Sequence, residues 1–211
     1  MTGRISKSDI KIGHYVSKYS RPQEHGLSVN SLPFEYAGVP CYTIRGASLA
    51  RRITFITLLR TLDPNLLREL NIRWLVIEFR TLKLVDLRLI EELKKKNFIR
   101  EVLVTDYEIL GNEKMILYEF INLDEYIKAY SRKVYWTFTK YFDNNLISIP
   151  DKSGKNTIFL FNTEKEATNF LKARTKENPS FKKARPFVDA ISEELLKEQA
   201  GISNLNIKYA N

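Results

Sequence analysis

One cysteine, two histidines and eight glycines among 211 residues narrow the possibilities by what they leave out. Cys41 alone can form neither an internal disulfide nor a zinc site built on paired thiolates. His14 and His25 are too few for most histidine-based metal centres, and they do not stand four apart as paired ligands on a helix do. Both read as solvent-facing loop residues of a polar N-terminal stretch. Cys41, in Val39-Pro40-Cys41-Tyr42, has no clustered base nearby in sequence and reads as a small buried hydrophobe. The scattered glycines supply no phosphate-binding loop, no dinucleotide fingerprint and no Gly-x-Ser-x-Gly elbow. No apolar run approaches the roughly 18 residues that a membrane span needs. The opening Met1-Thr2-Gly3-Arg4-Ile5-Ser6-Lys7 is followed by no apolar core, so it does not read as a signal peptide. The chain as it stands is therefore expected to stay in the cytoplasm.

What is present is globular: 44% hydrophobic and 12% aromatic residues, enough for a core that needs no staple. The net charge of +9 is uneven, because residues 1–60 hold nine Lys/Arg against three acids while the remainder is close to balanced. Such a segment favours phosphates, anionic head groups or an acidic partner over a neutral one.

The chain reads as two parts, residues 1–122 and 132–211, joined by a helix from Leu123 to Tyr130. Residues 1–46 show no clear period. Leu49, Ile53, Ile56, Leu59 and Leu62 recur at three- and four-residue steps and predict a helix with one apolar face. Asp63-Pro64 predicts a capped short helix, since proline at the first helical position gives up no hydrogen bond. Trp74–Phe79 reads as a strand covered on both faces, and Asp86 as the cap of a helix over 87–96 whose lysines complement its dipole. Strands follow at 101–105 and 115–120, separated by a turn at Gly111-Asn112. The crossover predicts the first two strands parallel and the third antiparallel. Beyond 132 the aromatic run Lys133–Phe142, then 146–149 and 157–161, predict a three-stranded meander. Thr163-Glu164-Lys165-Glu166 is a capping box, and a last helix is predicted over 188–200, closed by Gly201. The fold class is thus α/β to α+β: a small mixed sheet with a β-α-β-β unit, then a β-meander plus helices.

Two patterns invite chemistry. In many metal-dependent nucleases an Asp precedes a Glu-x-Lys on paired strands, and the carboxylates hold a divalent ion. Here Asp63 precedes Glu78-Phe79-Arg80, where arginine replaces the lysine. In the aromatic strand, alternation sends Tyr135, Thr137, Thr139 and Tyr141 to one face, with Lys133 at its edge. With Arg51 and Arg52 these form a candidate platform for single-stranded nucleic acid, on which bases stack and cations hold phosphates. Val134, Trp136, Phe138 and Phe142 form the core face. No catalytic residue, metal ligand or cofactor is nominated.

Thr61-Leu62-Asp63-Pro64-Asn65-Leu66-Leu67-Arg68-Glu69-Leu70-Asn71-Ile72-Arg73-Trp74-Leu75-Val76-Ile77 is similar to a passage in the C-terminal soluble domains of polytopic GT-C-type membrane glycosyltransferases. There a short helix leads into a strand with an Ile/Val-Arg-Tyr/Trp-hydrophobic start. Asn97–Val102 and Met115–Phe120 resemble that family's closing hairpin, and Tyr36-Ala37-Gly38-Val39-Pro40 its aromatic-Ala-Gly turn. The resemblance spans residues 36–121. It implies a non-catalytic recognition or accessory domain with a glycan or protein partner, placed outside the cytoplasm if excised from such a transferase. In that family the catalytic acid and the lipid-sugar site belong to the membrane-embedded part. A nucleic-acid-binding protein is the alternative expectation, and a metal-dependent nuclease the second.

Overall fold

The computed structural model describes residues 5–43, 52–78, 85–105, 114–130, 134–140, 145–151, 153–177, 185–203 and 206–209. It is α+β: among those residues there are eight helices and ten strands, the strands in sheets of five, three and two. The chain divides into two units. Unit one is Met1–Ser48 with Leu58–Arg132, and unit two is Leu49–Thr57 with Lys133–Asn211.

Unit one opens with α1 (Lys7–Tyr19), in residues where sequence periodicity showed nothing. Ser6 and Asp9 form a reciprocal capping box, and the buried face is Ser8, Asp9, Ile12, Gly13 and Val16. That face is narrow and half polar, which hides it from hydrophobic periodicity. After β1 (His25–Leu27) come α2 (Leu32–Ala37) and β2 (Cys41–Tyr42). Gly38 ends α2 in the left-handed region, φ 69°.

α3 (Arg52–Thr61) is buried on more than one face: Ile53, Thr54, Phe55, Thr57, Leu58 and Leu59 are all inside. This corrects the one-faced helix expected over 49–62, of which residues 49–51 lie outside the described set. α3 contributes residues to both units. Asp63 then caps α4 (Pro64–Glu69), its carboxylate accepting from the Leu66 N–H at 2.9 Å.

β3 (Ile72–Glu78), α5 (Leu87–Lys95), β4 (Ile99–Val104) and β5 (Met115–Phe120) form the expected β-α-β-β unit. The sheet order is β2-β1-β3-β5-β4. β5 lies between β3 and β4 and is antiparallel to both, so the parallel pair is split by the returning strand. β1 extends the sheet in parallel beside β3. Asn71, Asn97 and Asn122 each take positive φ at a helix–strand junction, 51°, 58° and 51°; asparagine tolerates this region better than other non-glycine residues. Ile12, Val16, Phe34, Trp74, Val76, Met115 and Leu117 form the core between the first two helices and the sheet. α6 (Leu123–Ala129) closes the unit: the Tyr126 hydroxyl donates to the Leu62 carbonyl at 2.8 Å, at the end of α3.

In unit two, β6 (Val134–Lys140) joins Phe161 through a bridge at Trp136 and Leu146 through one at Thr139, so the expected meander segments do adjoin. The full seven-residue ladder of β6, however, is with β9 (Pro186–Ser192), where a helix from 188 was expected. Burying Ala190 and Ile191 against β6 outweighs local helix preference, and α8 (Glu193–Ser203) begins only afterwards. It runs through Gly201, which is therefore not its closing glycine. β7 (Ile149–Pro150), β8 (Asn156–Leu160) and β10 (Asn206–Tyr209) form the three-stranded sheet, ordered β10-β8-β7. α7 (Glu164–Glu177) starts on the expected box: the Glu166 N–H donates to Thr163 Oγ1 at 3.2 Å and the Thr163 N–H to Glu166 Oε2 at 3.1 Å.

Two consequences are measurable. A Cβ added at Gly26 would lie 2.3–2.5 Å from the buried Phe34 ring, so Gly26→Ala should destabilise the protein by about 1–3 kcal/mol, read from the denaturant midpoint. Burial pushes the Tyr118 hydroxyl up from 10.0 to about 12, helped by Glu101 and Glu91. It also raises Tyr126 and Tyr130, which stand near Asp63. Their folded values exceed the unfolded one, so their stabilisation is intact below pH 10.0 and lost as pH climbs toward about 12. Melting temperature should fall across that window; a flat profile would contradict the burial of these hydroxyls.

Candidate functional site

Arg73 and Glu119 stand in two largely apolar strands of unit one, and the fold brings them together. Arg73 donates through Nε and Nη2 to Glu119 Oε1 at 2.9 and 2.6 Å. Arg100, on β4 directly opposite Glu119, donates through Nε and Nη2 to Oε2 at 2.8 and 2.6 Å. Each carboxylate oxygen thus receives a two-pronged guanidinium. The remaining nitrogen of Arg73 reaches Glu24 at 2.8 and 3.0 Å and the Tyr19 carbonyl at the end of α1 at 3.0 Å. Burial works against the charge on Arg73, but the hydrogen bonds it donates to Glu119 and Glu24 outweigh it and raise its pKa further. The guanidinium lies 4.6 Å from the Trp74 ring, whose indole N–H donates to Ser20 Oγ at 2.8 Å. The Ile72-Arg73-Trp74 motif is therefore architectural here: it fastens the end of α1 to the sheet.

Beside this lattice opens a cleft of about 340 Å³. It is lined by the charged Arg21, Arg68, Arg73, Glu24 and Glu119, by the exposed amides Asn71 and Asn122, and by the apolar Leu67, Ile72, Phe120 and Leu123. The Glu24 carboxylate also accepts from the Arg21 N–H at 2.8 Å, which fixes the turn carrying Arg21. Arg68 pairs with Asp124 at the surface, with side-chain exposures of 49% and 83%. Asn122 donates its amide N–H to the Asn97 carbonyl at 3.1 Å and keeps its amide oxygen for another donor.

The chain matches no protein-family model, no curated protein and no solved structure. What the site does must be argued from its residues.

The predicted platform residues are dispersed. Arg51, Lys133 and Tyr141 lie outside the described residues, as does Phe142, and Arg52 is described only as backbone of α3. Tyr135 is half-buried, edge-on to Tyr209 at 5.2 Å and packed against the core of unit two. Thr137 and Thr139 are buried, which corrects the expected open face. The Thr137 hydroxyl donates to the Phe159 carbonyl at 3.1 Å, and that of Thr139 to Asp189. Sheet alternation was read properly there; what it does not reveal is that both faces are covered.

The nuclease pattern is also placed elsewhere. Asp63 is fully buried as the α4 cap, Glu78 ends β3 opposite Met115, and Arg80 lies outside the described residues. Among the described residues no three of His, Cys, Asp and Glu gather in a group able to hold a metal ion. The histidines are not loop residues. His14 sits on α1, 3.2 Å from the Tyr36 hydroxyl, and His25 sits on β1, its Nδ1–H donating to the Leu70 carbonyl at 2.7 Å. Cys41 packs at the margin of the core, and burial pushes its thiol far above the usual range. It stays a protonated hydrophobe. No helix among the described residues is long and apolar enough to cross a membrane.

Sequence reasoning passed over Arg73, Glu119, Arg21, Arg68, Asn71 and Asn122. A signal was present for the first two, because a charge inside an apolar strand run has to find a partner. Arg73→Lys keeps the charge but loses the fork, and should cost about 1–3 kcal/mol. Arg100→Lys, with its side chain 58% exposed, should cost less than about 1 kcal/mol. Equal losses in chemical denaturation would contradict the hub role of Arg73.

Proposed function

We propose that the chain is a non-catalytic recognition or accessory module, similar in role to the soluble domains of GT-C-type membrane glycosyltransferases, and that the cleft of unit one is its contact site for a glycan or protein partner. The observation carrying this reading is the state of the cleft lining. Arg73, Glu24 and Glu119 are held rigid by mutual hydrogen bonds, while Arg21, Arg68, Asn71 and Asn122, all exposed, line the same cleft. A preorganised polar lining beside apolar residues suits binding, since little side-chain freedom is lost when a partner arrives. The sequence resemblance, over residues 36–121, covers part of this region: the short helix bearing Arg68, the Asn71 junction and the strands bearing Arg73 and Glu119. Asp63 serves as a helix cap and Glu119 as an ion-pair partner, roles that place and hold.

An immobilised oligosaccharide array probed with the whole chain should show saturable binding. Chemical-shift changes on adding the bound oligosaccharide should centre on Arg68, Asn71 and Asn122. Shifts confined to unit two would contradict the reading, and a flat array would remove its glycan arm.

A further inference from the structure

We propose that the cleft of unit one takes a carboxylate-bearing saccharide unit, gripped by Arg21 and Arg68. This rests on the reading of the cleft as a recognition site and names the chemistry of what it recognises.

The charges come first. Among the cleft-lining residues and their ion-pair partners there are four guanidiniums (Arg21, Arg68, Arg73, Arg100) and three carboxylates (Glu24, Glu119, Asp124), which leaves one positive charge over. Arg73 and Arg100 are spent on Glu119 and Glu24. The Arg21 guanidinium makes no hydrogen bond or ion pair with the described residues, although its backbone is clamped by Glu24. Among the described residues Arg68 holds only Asp124, in an open surface pair, and pairs of that kind contribute little. The site is thus short of one negative charge and offers two planar forks to receive it. A carboxylate carries one charge and fits a fork two-pronged, whereas a phosphate monoester brings about 1.5–2.

The neutral part of the cleft selects the rest of the molecule. Asn71 and Asn122 offer amide donors and acceptors suited to hydroxyls, and Leu67, Ile72 and Phe120 offer apolar surface for the C–H face of a ring. A volume of about 340 Å³ lies at the small end of ligand sites and suits one or two rings. An acidic peptide would draw much of its affinity from main-chain pairing with a strand edge. The two strands at this cleft have no edge to give, since β3 is paired with β1 and β5, and β5 with β3 and β4.

The test is calorimetric titration of the whole chain with galacturonate and glucuronate trimers, the matching neutral galactose and glucose trimers, and a tetraglutamate peptide. An acidic trimer should bind at least about tenfold tighter than its neutral counterpart, and more weakly as salt rises. Arg21→Ala and Arg68→Ala should each weaken it about tenfold. Asp124→Asn, which removes the competing carboxylate, should strengthen it severalfold. All three variants should melt with the parent protein, because these side chains lie at the surface. Equal affinity for neutral and acidic trimers, unmoved by Arg21→Ala, overturns the carboxylate claim and leaves the recognition reading standing. Preference for tetraglutamate overturns the saccharide claim, and silence from every probe overturns both.

Discussion

Arg73 meets the end of α1, the turn bearing Glu24 and the central strand β5 at a single guanidinium. Each contact alone is modest, since a charge-assisted hydrogen bond nets about 1.5–3 kcal/mol after dehydration. Their value lies in the geometry: five donors in one plane cannot satisfy three acceptors unless helix, turn and strand take one arrangement. Glu119 is the reciprocal constraint, its side chain only 6% exposed and carrying a guanidinium on each oxygen. A buried ion pair is weak evidence for net stability, because dehydrating its charges offsets much of the attraction. Removing one member nevertheless strands the other. The network therefore selects one packing of α1 on the sheet, and the cleft inherits its lining from that selection.

Unit two is organised by a similar device built on hydroxyls. Asp189, wholly buried on β9, accepts from the Thr54 hydroxyl at 2.7 Å and from that of Thr139, while the Ala190 N–H donates to Thr54 Oγ1 at 2.9 Å. Thr54 belongs to α3, 135 residues away in sequence. This explains why the first half of that helix belongs to the second unit and why a strand forms where helical spacing suggested otherwise. Around it lies an apolar cluster of Ile53, Ile158, Leu160, Ile191 and Leu196.

Local grammar was legible in the sequence wherever a short-range interaction decides the outcome. Asp63-Pro64, Asp86 and Thr163–Glu166 all mark helix starts as their side-chain chemistry dictates. The β-α-β-β order followed from apolar runs and punctuation. What stayed hidden depends on partners distant in sequence. α1 buries a face made largely of Ser8, Asp9 and Gly13: the Asp9 carboxylate accepts from Ser6 and Asn30, and Gly13 admits α2 so closely that a Cβ there would meet Tyr36 at 2.6 Å. β9 exists because β6 lies alongside, and the Tyr135 face is covered rather than open for the same class of reason. The cleft was least legible, since Arg21, Arg68 and Asn71 look like ordinary surface residues until the fold gathers them.

The cleft residues take their positions from the framework that Arg73 completes, so binding and architecture are tied in this protein. The most direct test is a double-mutant cycle on Arg73 and Glu119, comparing Arg73→Ala, Glu119→Ala and the double variant by chemical denaturation. A framework built on this pair predicts a coupling of at least about 1 kcal/mol, with the double variant less destabilised than the sum of the singles. Additive losses, with no coupling, would show that the two side chains act independently and that something else holds α1 to the sheet.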